Sequence, residues 1–206
     1  MLSAILLGFL LGLRHASDPD HMIAVSTIVA RSRKASAATR IGIAWGIGHS
    51  TTILAVGSAI IALRLVVPER LALGLELGVG LVLIGLGVAN LSTPRSVGEI
   101  PARDPRAQLV RSLGVGLVHG LAGSAGVALL ALAAMPTIAE ALVYLAVFCV
   151  GTIAGMVTIS LGLGLPLAYA GRIPGAHRVL VAGSGAVSIA FGAWLVYDIG
   201  FVRGLY

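Results

Sequence analysis

Apolar stretches long enough to cross a bilayer occupy most of this chain. Hydrophobic residues make up 58% of the sequence and charged residues only 11%. A helix of about 20 apolar residues spans a bilayer, and this length predicts six spans, near residues 2–30, 41–63, 71–92, 110–134, 139–165 and 178–202. The 28 glycines and few aromatic residues favour close packing of helices through small side chains. The sequence therefore predicts an all-α, multi-pass membrane protein.

The basic residues lie mainly in the short connections between these spans. Cytoplasmic connections carry an excess of Lys and Arg. Ten such residues fall in the connections after spans one, three and five, and three fall on the other side. This asymmetry predicts that both termini lie on the non-cytoplasmic side, and the expected location is the inner membrane. The net charge of +6 is thus explained by topology, and no nucleic-acid partner is expected.

A block of histidines and carboxylates interrupts the first apolar stretch. It contains His15, Asp18, Asp20 and His21 around Pro19. Each ionisable group at membrane depth costs about 2.5–3.5 kcal/mol on insertion scales, and such groups usually mark functional sites. The proline is expected to break the first helix, because it lacks an amide proton and disfavours helical backbone in the preceding residue. Imidazole and carboxylate ligands suit nickel, cobalt or zinc, so we predict a metal site in which one or both aspartates take part; the alternative is that an aspartate only caps the following helix.

Further candidates lie in the later spans. His49, in span two, is predicted to be an additional metal ligand; alternatively it bonds to a neighbouring helix. Ser50, Glu76 and His119 are candidate residues of a transport path. Their alternatives are a bond from Ser50 to a backbone carbonyl, an interfacial Glu76, and a hydrogen-bonding His119 between helices.

A weak internal repeat divides the chain into two halves. Residues 12–16 and 116–120 share Gly-Leu-x-His, and residues 78–85 resemble residues 185–192. Two three-span halves, 1–92 and 110–206, would have opposite orientations across a cytoplasmic linker at 93–109. Many transporters with such inverted repeats bind their substrate near mid-membrane, where the halves meet.

Two motifs in consecutive spans resemble those of a known family. In the first motif, four residues separate His15 from Asp20-His21, and this pattern is similar to the signature of the nickel/cobalt transporter family. The second motif, Gly48-His49-Ser50-Thr51, is similar to the second motif of that family. The resemblance implies a permease for Ni²⁺ or Co²⁺, with His15, Asp20 and His21 as signature residues and His49 as a further determinant. Larger members have eight spans with the signature in the second, so this chain resembles a compact six-span relative.

The expected function is secondary transport of Ni²⁺ or Co²⁺, in the direction of uptake. The ion is the substrate, and no cofactor is expected. No glycine loop of the Walker type occurs, so we expect no nucleotide partner. No nucleophile with an organised base is evident either, so we expect no enzymatic activity. Two alternatives stay open: a metal-binding membrane accessory protein for metalloenzyme maturation, and an intramembrane zinc hydrolase that uses the same histidines.

Overall fold

The fold consists of helices throughout the part of the chain that the structure describes. This computed structural model describes residues 2–32, 34–92, 104–170, 173 and 175–205. The helices are α1 (Leu2–His15), α2 (Pro19–Val29), α3 (Ala35–Leu63), α4 (Glu69–Leu91), α5 (Pro105–Ala134), α6 (Ile138–Ala170) and α7 (Ala176–Tyr197), followed by a π-helical turn, Asp198–Val202. Helices α3 to α6, and α7 with its π-helical turn, are long and apolar enough to cross a membrane. The predicted all-α, multi-pass membrane class is confirmed.

The first predicted span consists of two short helices. Helix α1 ends at His15 and α2 begins at Pro19, with Asp18 in extended conformation (ψ 143°) between them. At 1.5 Å per residue, their 14 and 11 residues extend about 21 Å and about 17 Å, and each falls short of the roughly 30 Å hydrocarbon core. The predicted break before Pro19 is therefore present, and it lies between two helices that could cross the bilayer only together.

The start of α5 corrects the predicted linker boundary. The helix begins at Pro105, inside the predicted linker 93–109. Asp104 caps it by accepting a hydrogen bond from the Arg106 backbone amide at 3.1 Å, and proline is favoured at the first helical position. The polarity of this turn made it resemble a loop in the sequence. Residues 93–103 of the linker lie outside the described residues.

Glycines allow the helices to pack in three close pairs, α1 with α6, α3 with α5, and α4 with α7. A side chain added to Gly12 would overlap the backbone of α6, and one added to Gly120 would overlap the backbone of α3. In the third pair, Gly80 packs on Gly192 and Gly87 on Gly185. A side chain added to Gly78 or Gly85, which the sequence repeat matched to the α7 glycines, would meet nothing within 4 Å. Small residues thus bring the backbones together.

A buried arginine just beyond α2 belongs to a polar network that connects α2, α4 and α7. Arg31 is only 6% exposed; its Nε donates to Asn90 Oδ1 at 2.7 Å and its Nη2 to the Ala89 carbonyl at 2.5 Å. Asn90 in turn donates to the Thr27 carbonyl at 2.8 Å and to Ser184 Oγ at 3.4 Å. The amide of Asn90 is therefore the centre of a polar network that links three helices.

Replacing Asn90 with leucine is expected to destabilise the fold by about 1.5–3 kcal/mol, because Nε of the buried Arg31 loses its charge-assisted hydrogen bond to Asn90 Oδ1. The measurement is denaturant unfolding in detergent micelles. Val88→Leu, at a half-exposed position on the same helix, is the matched control and should leave the unfolding midpoint unchanged. Equal midpoints for Asn90→Leu and the control would contradict the importance of this network.

Candidate metal site

Imidazoles from four helices meet where the first span is broken. His15 is the last residue of α1, His21 lies in the first turn of α2, and His49 and His119 lie within α3 and α5. The ring centroid of His21 is 4.7 Å from that of His15, 4.9 Å from that of His49 and 5.4 Å from that of His119. The rings of His21, His49 and His119 are almost fully buried, with exposures of 4%, 0% and 2%. Histidine side chains distant in sequence thus form one compact cluster, which we call the histidine cluster.

Three of these rings are spaced to hold one ion. His15, His21 and His49 each offer a ring nitrogen, and these nitrogens lie within 4.8 Å of one another. His15 Nε2 and His49 Nε2 are 3.1 Å apart. Two nitrogens that bind one ion at about 2.1 Å, with angles between 90° and 109°, are about 3.0–3.4 Å apart. The observed separation lies in that range, so these two rings need little movement to bind a shared ion.

The two aspartates contact the outer nitrogens of the cluster. Asp18 Oδ2 is 2.8 Å from His15 Nδ1, and Asp20 Oδ1 is 3.0 Å from His21 Nδ1. A carboxylate accepts a hydrogen bond, so each neutral ring carries its proton on Nδ1 and has an unprotonated Nε2. Carboxylates orient many metal-binding histidines in this way. Asp18 occupies the N-cap position of α2, but its side chain makes no capping bond; the capping-only interpretation is therefore not supported.

Buried nitrogens in the cluster lack hydrogen-bond partners. Among the described residues, His21 Nε2, His49 Nδ1 and His119 Nε2 are all buried without one. A buried polar atom without a partner costs about 1–3 kcal/mol, so the Nε2 atoms of His21 and His119 favour the presence of a ligand; Nδ1 of His49 cannot bind an ion that its Nε2 already binds. Nitrogen donors of neutral imidazoles are good ligands for divalent nickel, cobalt, copper and zinc.

A cavity of about 270 Å³ opens onto the cluster. The three histidines His15, His21 and His119 line it together with Asp18, Asp20 and Glu76, and its remaining wall is largely apolar. The carboxylates give this cavity a negative lining next to nitrogen ligands. A cation can therefore be attracted by charge and then bound by the imidazoles.

The other residues named from the sequence lie in different places. Glu76 lines the cavity and is ion-paired with Arg203, and both side chains are 39% exposed. Ser50 lies between α3 and α6, where its hydroxyl donates to the Cys149 carbonyl at 3.3 Å, and it does not line the cavity. His119 joins the cluster.

Two aromatic residues support the cluster and were not identified from the sequence. The Trp45 ring lies 5.4 Å from His21 and 5.3 Å from His119, and Phe148 lies 5.3 Å from His15. Trp45 precedes His49 by one helical turn, and this spacing could have indicated it. Phe148 comes from α6, and no local signal associates it with the motif.

Glycines on α5 set the position of two of the histidines. Side chains added to Gly116 or Gly120 would overlap the α3 backbone around Trp45 and His49. The helices therefore approach closely here, and both His49 and His119 point into the cluster from this crossing. The close packing of α3 on α5 thus sets the positions of both histidines in the site.

These features define a multi-pass helical membrane protein with a buried histidine site. The sequence model of NicO, described as high-affinity nickel-transport protein, matches residues 1–89. The urease accessory protein UreH of Bacillus sp. (strain TB-90) is 34% identical over 220 residues, covering 100% of this chain and 96% of that protein. The chain belongs to the NicO family of nickel-transport proteins.

More distant relatives occur in plants. The chloroplast proteins FOR GROWTH AND FERTILITY 2 and 1 of Arabidopsis thaliana are each 27% identical to this chain and match 97% of it. The chain spans 57% and 60% of their respective lengths. No solved structure shows a significant match.

Proposed function

We propose that this protein carries Ni²⁺ or Co²⁺ across the inner membrane, in the direction of uptake. The observation that supports this most is the histidine cluster, in which Nε2 of His21 and of His119 is buried without a partner beside a cavity lined by three carboxylates. Membership of a nickel-transport family agrees with it. The ion is the transported substrate; the protein binds it and provides its path across the membrane.

In this proposal His15, His21 and His49 bind the ion through their ring nitrogens. Asp18 and Asp20 hold the first two rings in the right tautomer through the contacts at 2.8 Å and 3.0 Å. The imidazoles replace water as the ion leaves the cavity, and the nearby carboxylates balance its charge. A bound ion also gives a partner to Nε2 of His21, which otherwise has none.

We also propose that the six spans form two inverted repeats, residues 1–92 and 110–206, with α1 and α2 together as the first span. The helix pairs support this, because exchanging the halves converts the α1–α6 pair into the α3–α5 pair. Gly12 packs on Phe148, and the equivalent Gly116 packs on Trp45. Gly151 packs on Phe9, and Gly48 packs on Leu113. His15 and His119 are 104 residues apart, and the equivalent residues in these two sets of contacts are 103 or 104 residues apart.

The α4–α7 pair fits the same symmetry in a different register from the sequence match. If the two halves are related by symmetry, the contact of Gly80 with Gly192 corresponds to the contact of Gly87 with Gly185. Residues 80 and 87 are then equivalent to 185 and 192, an offset of 105. The sequence match had used 107. The offset from packing is closer to that of the histidines, which strengthens the repeat.

The membrane potential can drive uptake without a nucleotide. A divalent cation gains about 4.6 kcal/mol per 100 mV, twice the value for a single charge. The proposed topology has both termini outside, so the broken first span would expose the cavity toward the ion's side of entry. The excess of Lys and Arg in the opposite connections supports this orientation.

The rate and extent of nickel entry into proteoliposomes test this proposal. With a potassium diffusion potential of about 60 mV, inside negative, we expect accumulation of radioactive nickel to approach about 100-fold over the outside concentration. Reversing the potential should abolish it, and empty liposomes are the control. Nickel that binds to the protein but enters the lumen under neither potential would contradict transport.

That last outcome would favour a second function. The Bacillus relative is called a urease accessory protein, and a chain of this family could present nickel for enzyme maturation without moving it. The same histidines would then form a storage or delivery site. Binding without flux distinguishes this function from transport.

A further inference from the structure

His119 has the features of a metal ligand although it lies outside the motif that carries the family resemblance. Its Nδ1 donates to the Val115 carbonyl at 3.0 Å, one helical turn earlier. This bond fixes the proton on Nδ1 in the neutral ring, so Nε2 has a free lone pair. That nitrogen is buried, has no partner among the described residues, and belongs to a residue that lines the cavity.

We propose that Nε2 of His119 is a fourth ligand of the transported ion. The inference rests on the proposed function and adds one ligand to it from the second half of the chain. The bond from Nδ1 to a backbone carbonyl is the usual way in which a metal-binding histidine is oriented. In this respect His119 matches His15 and His21, whose Nδ1 atoms contact aspartates.

A purely structural role does not account for this arrangement. The His119 ring packs edge-on against Trp45, with an interplanar angle of 88° and a centroid distance of 5.3 Å. A phenylalanine ring could make that contact equally well. The indole contact leaves Nε2 without a partner, and an apolar ring would avoid the cost of burying such an atom.

The fourth ligand gives the site a link between the two halves. His15, His21 and His49 come from residues 1–92, whereas His119 lies on α5. Because α3 and α5 pack closely through Gly116 and Gly120, movement of this pair relative to α1 and α2 would separate His49 and His119 from His15 and His21 and weaken ion binding. Release on the inner side then follows from the same rearrangement that opens a path, without a separate trigger.

The test counts imidazole ligands in the purified protein loaded with Ni²⁺ alone. X-ray absorption at the nickel edge should show four imidazoles per ion in the wild-type protein and three in His119→Phe. Nickel affinity of the variant should fall at least about tenfold, because loss of even an outer-shell partner typically costs 10- to 100-fold. A Trp194→Phe background leaves Trp45 as the remaining tryptophan, and quenching of its fluorescence by Ni²⁺ reports binding.

Three imidazoles in the wild-type protein would overturn the inference, whether or not the variant folds. So would wild-type affinity and an unchanged imidazole count in a folded His119→Phe. Failure of the proposed function is distinguishable: in that case His21→Ala would also bind nickel like the wild type, or the wild-type protein would bind without transport. His119→Gln, which keeps a polar group but no imidazole, should behave as His119→Phe does.

Discussion

Replacing His21 with alanine is expected to reduce nickel uptake by at least about 100-fold at low nickel concentration. This ring is at the centre of the cluster, with ring centroids 4.7 Å from His15, 4.9 Å from His49 and 5.4 Å from His119. Its removal deletes one ligand and also the packing that holds the other three in place. An outer-shell change alone costs 10- to 100-fold in affinity, so the loss of the central ligand should cost more.

Initial rates of radioactive nickel uptake in cells expressing equal amounts of protein measure this effect. Met22→Ala is the matched control, because it changes the next residue on α2, which is 40% exposed and does not line the cavity. We expect that control to transport at the wild-type rate. Uptake by His21→Ala within about threefold of the wild type would rule out His21 as a ligand.

Much of the fold could be predicted because the bilayer permits few solutions. Only helices and closed barrels satisfy backbone hydrogen bonds in lipid, so span length located α4 within two residues and α3, α6 and α7 within six residues at their ends. The break before Pro19 was predictable for a local reason, since proline restricts its own backbone and that of Asp18. The boundary at Pro105 was missed because polar residues at a helix start resemble a loop.

The sequence named all four histidines of the candidate site, but local structure accounts for the proximity of only two of them. His15 and His21 are close in the chain, and a broken helix brings them together with little help from other elements. The addition of His119 depends on the crossing of α3 and α5, which is determined by glycine contacts between residues about 70 positions apart. A hydropathy pattern contains no information about such pairing.

The role of the aspartates shows a second limit. From the sequence, Asp18 and Asp20 are equally good metal ligands, because each has a carboxylate and carboxylate oxygens bind divalent ions as imidazole nitrogens do. The structure has each carboxylate on the Nδ1 of an adjacent histidine. Which atom a side chain contacts depends on rotamers and on the break geometry, and residue spacing does not determine either. The distinction matters because an orienting carboxylate tunes the site without changing its ligand count.

The packing of α3 on α5 allows a test in which two similar substitutions have opposite effects. Gly120→Ala is expected to destabilise the protein by about 1–3 kcal/mol, the usual cost of overpacking, and to reduce nickel uptake at least about tenfold. A methyl group there would overlap the backbone of His49, so the helices must separate and His49 must move away from His15.

Gly114→Ala, on the same helix, provides the matched control. A side chain at this position would contact nothing within 4 Å, so the change should only remove the flexibility of glycine and stabilise the helix by about 0.5–1 kcal/mol. Uptake should be unchanged. The unfolding midpoint in detergent should therefore rise for Gly114→Ala and fall for Gly120→Ala, and only Gly120→Ala should lose uptake. If both variants behaved alike, the close α3–α5 contact could not be what sets the geometry of the histidine cluster, because a general effect of alanine on helix stability would explain both results.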